Sequence, residues 1–301
     1  MAAMPRYLHL DVFTSRLFEG NQLAVFPDPG HLTTAQMQTI AREMAFSETT
    51  FIYPAEGSGD VRMRIFTPAA ELPIAGHPTV GSTFALAAEG RITRGRSDFV
   101  FELGVGPTPV SLDWKDDQLA FVWMTQPLPS FQNIVADRAR MAEVLGVDAA
   151  ALGPGLPVQA VACGVPFLYA ALASRESVDA VVIDRRMLIA TCEAAGMPEL
   201  PVFVFTTAGG DGRTVYSRML APGFGIGEDP ATGSASGPLG SYLVHHRVVS
   251  HDDARGLVSL QGVAMGRPSR IHISIDVAGE TISRVRVGGE AVMVGEGRIR
   301  I

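Results

Sequence analysis

The chain has 301 residues, 47% hydrophobic and 18% charged, with a formal net charge of −7. That balance specifies a globular protein with enough chain for two cored domains and excludes a disordered segment. The acidic charge without a basic stripe excludes a nucleic-acid binder. No stretch approaches the ~20 apolar residues of a membrane span, and residues 1–10 hold no long apolar signal-peptide core. Cys163 and Cys192 make neither a metal pattern nor a disulfide framework. The expectation is a cytoplasmic protein with two buried thiols and no membrane or nucleic-acid partner.

Residues 7–13 alternate in the manner of a strand, and 21–26 read as another after a turn at Glu19-Gly20. Thr33 or Thr34 can cap a helix reaching about Ala45, with Met37, Ile40, Ala41 and Met44 at helical spacing. Residues 49–53 and 61–66 read as strands about a turn at Gly57 and Gly59. Residues 80–88 are small or apolar on every side, which predicts a buried helix. Short strands at 99–103, 108–114 and 119–124 follow, and Pro127 and Pro129 mark the crossing into a second half. There helices are predicted near 137–145 and 185–195, and strands near 158–163, 167–173, 202–207 and 214–220. Residues 231–244 are rich in Gly, Ser and Ala, and Pro238 should kink them. They form a helix only if packing enforces it, and small residues suit a helix closely wrapped by sheet. Residues 271–277 alternate, and 291–301 read as strand after Gly288-Gly289. The order of elements is α+β with mixed sheets rather than a regular strand–helix alternation.

One pattern occurs twice. Arg64-Ile65-Phe66-Thr67-Pro68 leads to His77-Pro78-Thr79-Val80-Gly81-Ser82, and Arg218-Met219-Leu220-Ala221-Pro222 leads to Asp229-Pro230-Ala231-Thr232-Gly233-Ser234. Pro78 and Pro230 lie 152 positions apart (230 − 78), about half the chain, which predicts two similar halves. Pro suits the first helical position, so His77 and Asp229 read as the residues that cap each helix. Small residues behind each Pro leave the first backbone N–H groups uncovered, and such helix starts attract anions. Two of them together would hold a carboxylate, or stabilise charge building up on a carbon beside one.

Other chemistry is thin. Gly225-x-Gly227 lacks the third glycine of a dinucleotide fingerprint, and the centre of Gly233-Ser234-Ala235-Ser236-Gly237 is Ala, not a nucleophile. His245-His246 ends a predicted helix, where cations suit the dipole, and no cluster has metal-ligand spacing. Glu48 stands in Ser47-Glu48-Thr49-Thr50-Phe51 at the entrance of an apolar strand. A buried carboxyl there suits proton shuttling, while local context alone favours a surface carboxylate or cap.

Asp11-Val12-Phe13-Thr14 with Gly20-Asn21, Ser47 to Phe51, Ala75-Gly76-His77-Pro78-Thr79, Glu228 to Ala235, and Gly295-Glu296-Gly297 resemble the PhzF family of phenazine-biosynthesis isomerases from the first strand to the last residues. The resemblance implies a diaminopimelate epimerase-like fold of two similar domains. Each has a mixed, mostly antiparallel sheet curled around a central helix, with the active site in the cleft between them. The expected domains are 1–128, completed by about 289–301, and 129–288. The positions of the two thiol bases of epimerases correspond here to Ala75 and Thr232, neither of which can act as a thiolate base.

By the same resemblance, Glu48, His77 and Asp229 would be catalytic. Glu48 would move a proton between two carbons on one face of the substrate, and His77 and Asp229 would orient its amine or hydroxyl. Gly76, Pro78, Thr79, Thr232, Gly233 and Ser234 would bind it, with backbone amides of Gly76, Gly233 and Ser234 holding its carboxylate. The expected activity is isomerisation of a small cyclic amino- or hydroxy-carboxylate, with no cofactor, no metal and a homodimeric assembly. The alternatives are an epimerase without a cysteine pair and a non-catalytic small-molecule-binding protein on the same fold.

Overall fold

The computed structural model describes residues 4–73, 76–153 and 155–301. The chain divides into two compact units, residues 1–125 with 288–301, and residues 126–287. Among the described residues no helix is long and apolar enough to cross a membrane.

In the first unit, β1 (Arg6–Val12) and β2 (Asn21–Phe26) pair antiparallel, with Val12 opposite Asn21. The helix α1 (Thr34–Met44) leads to β3 (Glu48–Pro54), which runs parallel to β2 with Glu48 opposite Leu23. β4 (Val61–Phe66) returns antiparallel on β3, and the two-residue β5 (Glu71–Leu72) folds back on β4. Then α2 (Gly76–Ala88) leads to β6 (Asp98–Leu103), parallel to β4. β7 (Gly106–Lys115) and β8 (Gln118–Gln126) continue by antiparallel pairing.

The second unit contains β9 (Ser130–Val135), α3 (Arg138–Leu145), β10 (Val158–Ala162), β11 (Pro166–Ala171), α4 (Arg175–Asp179) and α5 (Arg185–Ala194). It continues through β12 (Val202–Thr206), β13 (Thr214–Ala221), β14 (Ile226–Asp229), α6 (Gly233–His245), β15 (Leu257–Gln261), β16 (Ser269–Ala278) and most of β17 (Thr281–Gly289). From β10 onward its ladder repeats that of the first unit step for step. β10 and β11 are antiparallel, β11 and β12 parallel, β12 and β13 antiparallel. The stub β14 folds back on β13, β15 is parallel to β13, and β16 is antiparallel to β15. The last strand, β18 (Ala291–Arg298), pairs antiparallel with β1 in the first unit.

Period-two alternation sends neighbouring side chains to opposite faces of each sheet. In the second unit Val161, Tyr169, Phe203 and Phe205 pack with Leu239, Tyr242 and Leu243 of α6. Ala160, Leu168, Val202 and Val204 pack with Met141 and Leu145 of α3 and Leu188 and Cys192 of α5. In the first unit Met37, Ile40 and Ala41 of α1 cover Phe26, Phe51 and Phe66. Small residues let the central helices sit close to their sheets. A Cβ at Gly81 of α2 would stand 2.6 Å from side-chain atoms of both Leu23 and Val12, and one at Gly240 of α6 would stand 2.6 Å from Ile273.

Each stub strand is pinned by a two-pronged ion pair from the Arg of the repeated motif. Arg64 donates to both oxygens of Glu71 at 2.7 Å, and Arg218 donates to those of Glu228 at 2.9 and 2.8 Å. Arg218 also gathers the carbonyls of Val178, Asp179 and Val181 at the end of α4.

Two sequence expectations change. His77 lies inside the first turn of α2, which starts at Gly76, so it is not the cap; the preceding Ala75 lies outside the described residues. Asp229 ends β14, and the N-cap of α6 is Thr232. Pro230 therefore precedes its helix while Pro78 is within it, so the two copies start their helices at different points of the motif. Pro238 lies inside α6, which runs as one helix from Gly233 to His245.

Candidate active site

Glu48 opens β3, and its side chain is only 16% exposed. Its Oε2 lies 3.2 Å from Nδ1 of His77, whose ring is almost wholly buried. Both belong to the first unit and are held in register by secondary structure. Thr50, two residues along β3, meets Ser82 of α2 through a 2.9 Å hydroxyl–hydroxyl hydrogen bond. Asn21, at the start of β2, places its amide nitrogen 3.4 Å from the same His77 Nδ1. The turn before Asn21 is tight: Phe13 and Gly20 have positive φ, and a Cβ at Gly20 would stand 2.4 Å from the Val12 carbonyl oxygen. The Asp11 carboxylate accepts the Phe18 N–H at 2.7 Å and ties that turn down.

Burial holds the His77 imidazole at about 3, far below its ordinary 6.5, against a hydrogen bond to the Gln22 backbone that works the other way. The 3.2 Å approach to Glu48 therefore sets a carboxyl beside a neutral ring and is not an ion pair. A neutral imidazole nitrogen can donate to a carboxylate or accept from a carboxylic acid, depending on its tautomer. His77 Nε2 is buried with no hydrogen-bond partner among the described residues. Pro78 and Thr79 are buried behind it in the same turn, and Gly76 leads it.

In the second unit Asp229 is 6% exposed and accepts the Thr232 hydroxyl at 2.5 Å. Gln261, at the end of β15, is fully buried and holds the same four-residue turn. Its amide nitrogen donates to the Asp229 carbonyl at 2.8 Å and to the Thr232 hydroxyl oxygen at 3.0 Å, while its oxygen accepts the Thr232 N–H at 3.1 Å. Because the Thr232 hydroxyl points at Asp229, α6 begins with no side-chain cap. Gly233 and the half-buried Ser234 open this uncapped helix, and the Ala235 N–H turns back to the Thr232 carbonyl at 3.2 Å.

The sequence pointed to Glu48, His77, Asp229 and Thr232, and the structure places Glu48 against His77 and Thr232 against Asp229. It did not single out Gln261, which reaches its partners across 29 and 32 residues; a lone Gln before Gly262 carries no local signal. The thiols are structural: burial pushes Cys163 up to about 12, and Cys192 is fully buried in the α3–α5 core.

The family model for phenazine biosynthesis-like proteins, PhzC-PhzF, matches residues 10–297. The trans-2,3-dihydro-3-hydroxyanthranilate isomerase of Pseudomonas aeruginosa is 37% identical over 295 residues, covering 98% of this chain and 99% of that protein. A PhzF-family protein of Bacillus anthracis, 24% identical, has the same fold with a TM-score of 0.88 over 99% of this chain and 100% of that one. A hydroxyproline epimerase from Agrobacterium vitis, 14% identical, shares the fold with a TM-score of 0.65 over 100% of this chain and 94% of its own. With the family model spanning nearly the whole sequence and a relative this similar along its full length, the chain belongs to the PhzC-PhzF, phenazine biosynthesis-like family of isomerases.

Proposed function

We propose that this protein isomerises a small cyclic amino- or hydroxy-carboxylate by moving one proton between two carbons, with Glu48 as the single acid and base. The observation that carries this reading is the Glu48 carboxyl, largely shielded from water and 3.2 Å from an imidazole that burial keeps neutral. Glu48 takes the proton from one carbon of the substrate and returns it to another on the same face. His77 holds the Glu48 carboxyl through Nδ1. Asp229 orients the substrate's amine or hydroxyl, and the amides of Gly76, Gly233 and Ser234 bind its carboxylate, where negative charge accumulates as the proton leaves. Pro78, Thr79 and Thr232 shape the walls.

The name of the Pseudomonas aeruginosa relative makes trans-2,3-dihydro-3-hydroxyanthranilate the first substrate to test. Turnover in deuterated water, followed by NMR, decides the reaction type. Isomerisation shifts the ring double bonds and leaves at most one deuterium at the new position. Inversion of a stereocentre with deuterium at the original carbon would replace the isomerase reading with an epimerase, and neither a double-bond shift nor exchange with any cyclic carboxylate that binds would make the protein a binder. The homodimer is proposed with it, and light scattering of the purified chain checks the mass.

A further inference from the structure

We propose that Gln261 is a positioning residue that orients the Thr232 hydroxyl as a donor to Asp229 and so fixes the Asp229 carboxylate. The proposal rests on the reading of Asp229 as a group that orients the substrate. A primary amide offers two N–H donors and an acceptor oxygen. In Gln261 all three functions are directed at the turn 229–232: two donated bonds, to the Asp229 carbonyl and the Thr232 hydroxyl oxygen, and one accepted from the Thr232 N–H. A hydroxyl has one hydrogen to give. With a lone pair of Thr232 Oγ1 taken by the Gln261 N–H, its hydrogen is aimed at Asp229 Oδ2, at 2.5 Å. A bond of that length to a carboxylate is of the strong, charge-assisted kind.

Two neighbouring features support a built clamp. Gly262 has φ +75°, and a Cβ there would stand 2.6 Å from the Pro230 carbonyl oxygen and 2.4 Å from that of Arg267, so the chain beside Gln261 is pressed onto the same turn. The Thr232 side chain also leaves the first turn of α6 uncapped, although Thr is a common capping residue. Its hydroxyl is committed to Asp229 instead. The consequence is chemical: Thr232 has a hydroxyl whose hydrogen is already assigned, and the second unit contributes a fixed acceptor at Asp229.

The test is proton NMR of the full chain at low temperature. The wild-type protein is expected to show a slowly exchanging, downfield hydroxyl resonance that is absent from Thr232→Val. Gln261→Met, which keeps the bulk but neither donates nor accepts as an amide does, is expected to lose that resonance to solvent exchange while retaining its circular dichroism. If Gln261→Met does not fold, Gln261→Glu is read the same way, because it keeps the acceptor for the Thr232 N–H and removes the donor. With trans-2,3-dihydro-3-hydroxyanthranilate as substrate, kcat/KM is expected to fall about tenfold, the worth of one hydrogen bond, and to fall no further when Gln261→Met is added to Thr232→Val. A folded Gln261 variant with the resonance unchanged, a wild-type spectrum without it, or losses that multiply in the double variant each overturn the proposal. Full activity in Asp229→Asn would instead overturn the role given to Asp229, and the hydroxyl resonance separates the two failures.

Discussion

In the proposed reaction a single carboxyl must both lose and regain a proton, and Glu48 does so beside the neutral ring of His77. Glu48→Gln keeps the shape and removes the proton carrier. Turnover is expected to fall at least about 10²-fold, the usual contribution of a general base, with ligand affinity by calorimetry nearly unchanged. Retention of more than about a tenth of the wild-type rate would take Glu48 out of the role. His77 gives a prediction in pH. Its folded value, about 3, lies below the ordinary 6.5. Between those limits the unfolded chain binds a proton at this position and the folded protein does not, so stability falls as pH falls from 6.5 toward 3. The slope is at most about 1.4 kcal/mol per pH unit. Urea unfolding across that window measures it, and His77→Gln should remove the His77 share. An NMR titration of His77 with a midpoint near 6.5 would reject both statements.

At the scale of elements, closeness of helix to sheet is the decisive property. An exposed helical Gly→Ala change gains about 1 kcal/mol, but Gly81→Ala is expected to cost about 1–3 kcal/mol. Its Cβ would meet Leu23 and Val12 at 2.6 Å, in the layer that sets Glu48 and His77 in register. Thermal unfolding decides between these signs. The same crowding explains what the sequence disclosed. A segment as poor in helix formers as α6 is helical because β10–β13 and β16 surround it, and its Gly, Ser and Ala content signalled that wrapping. The buried face of α2 was legible from its lack of any polar side. The capping residues were misread because the rule placing Pro at the first helical position is local, while Thr232 is turned away from its helix by Asp229 and Gln261. The stubs β5 and β14, two and four residues long, are too short to show a period. The forks of Arg64 with Glu71 and Arg218 with Glu228 were present as repeated arginines whose partners the spacing alone did not name.

At the scale of the whole molecule, the repeated ladder accounts for the duplicated motif: each unit carries a stub, a central helix and a parallel strand in the same order. The first unit, however, is discontinuous in sequence. β18 pairs with β1 at seven positions, from Arg6 opposite Arg298 to Val12 opposite Ala291, on the side of β1 away from β2. Removing residues 290–301 would leave β1 as a bare edge, a template for pairing with other chains. The truncated chain is expected to aggregate and to lose part of its calorimetric unfolding transition; an unchanged transition and mass would make the strand dispensable. During synthesis on the ribosome the consequence is one of timing. All of residues 126–287 emerge before the strand that closes the first sheet, so the unit bearing Glu48 and His77 reaches its final form only after the other has been translated.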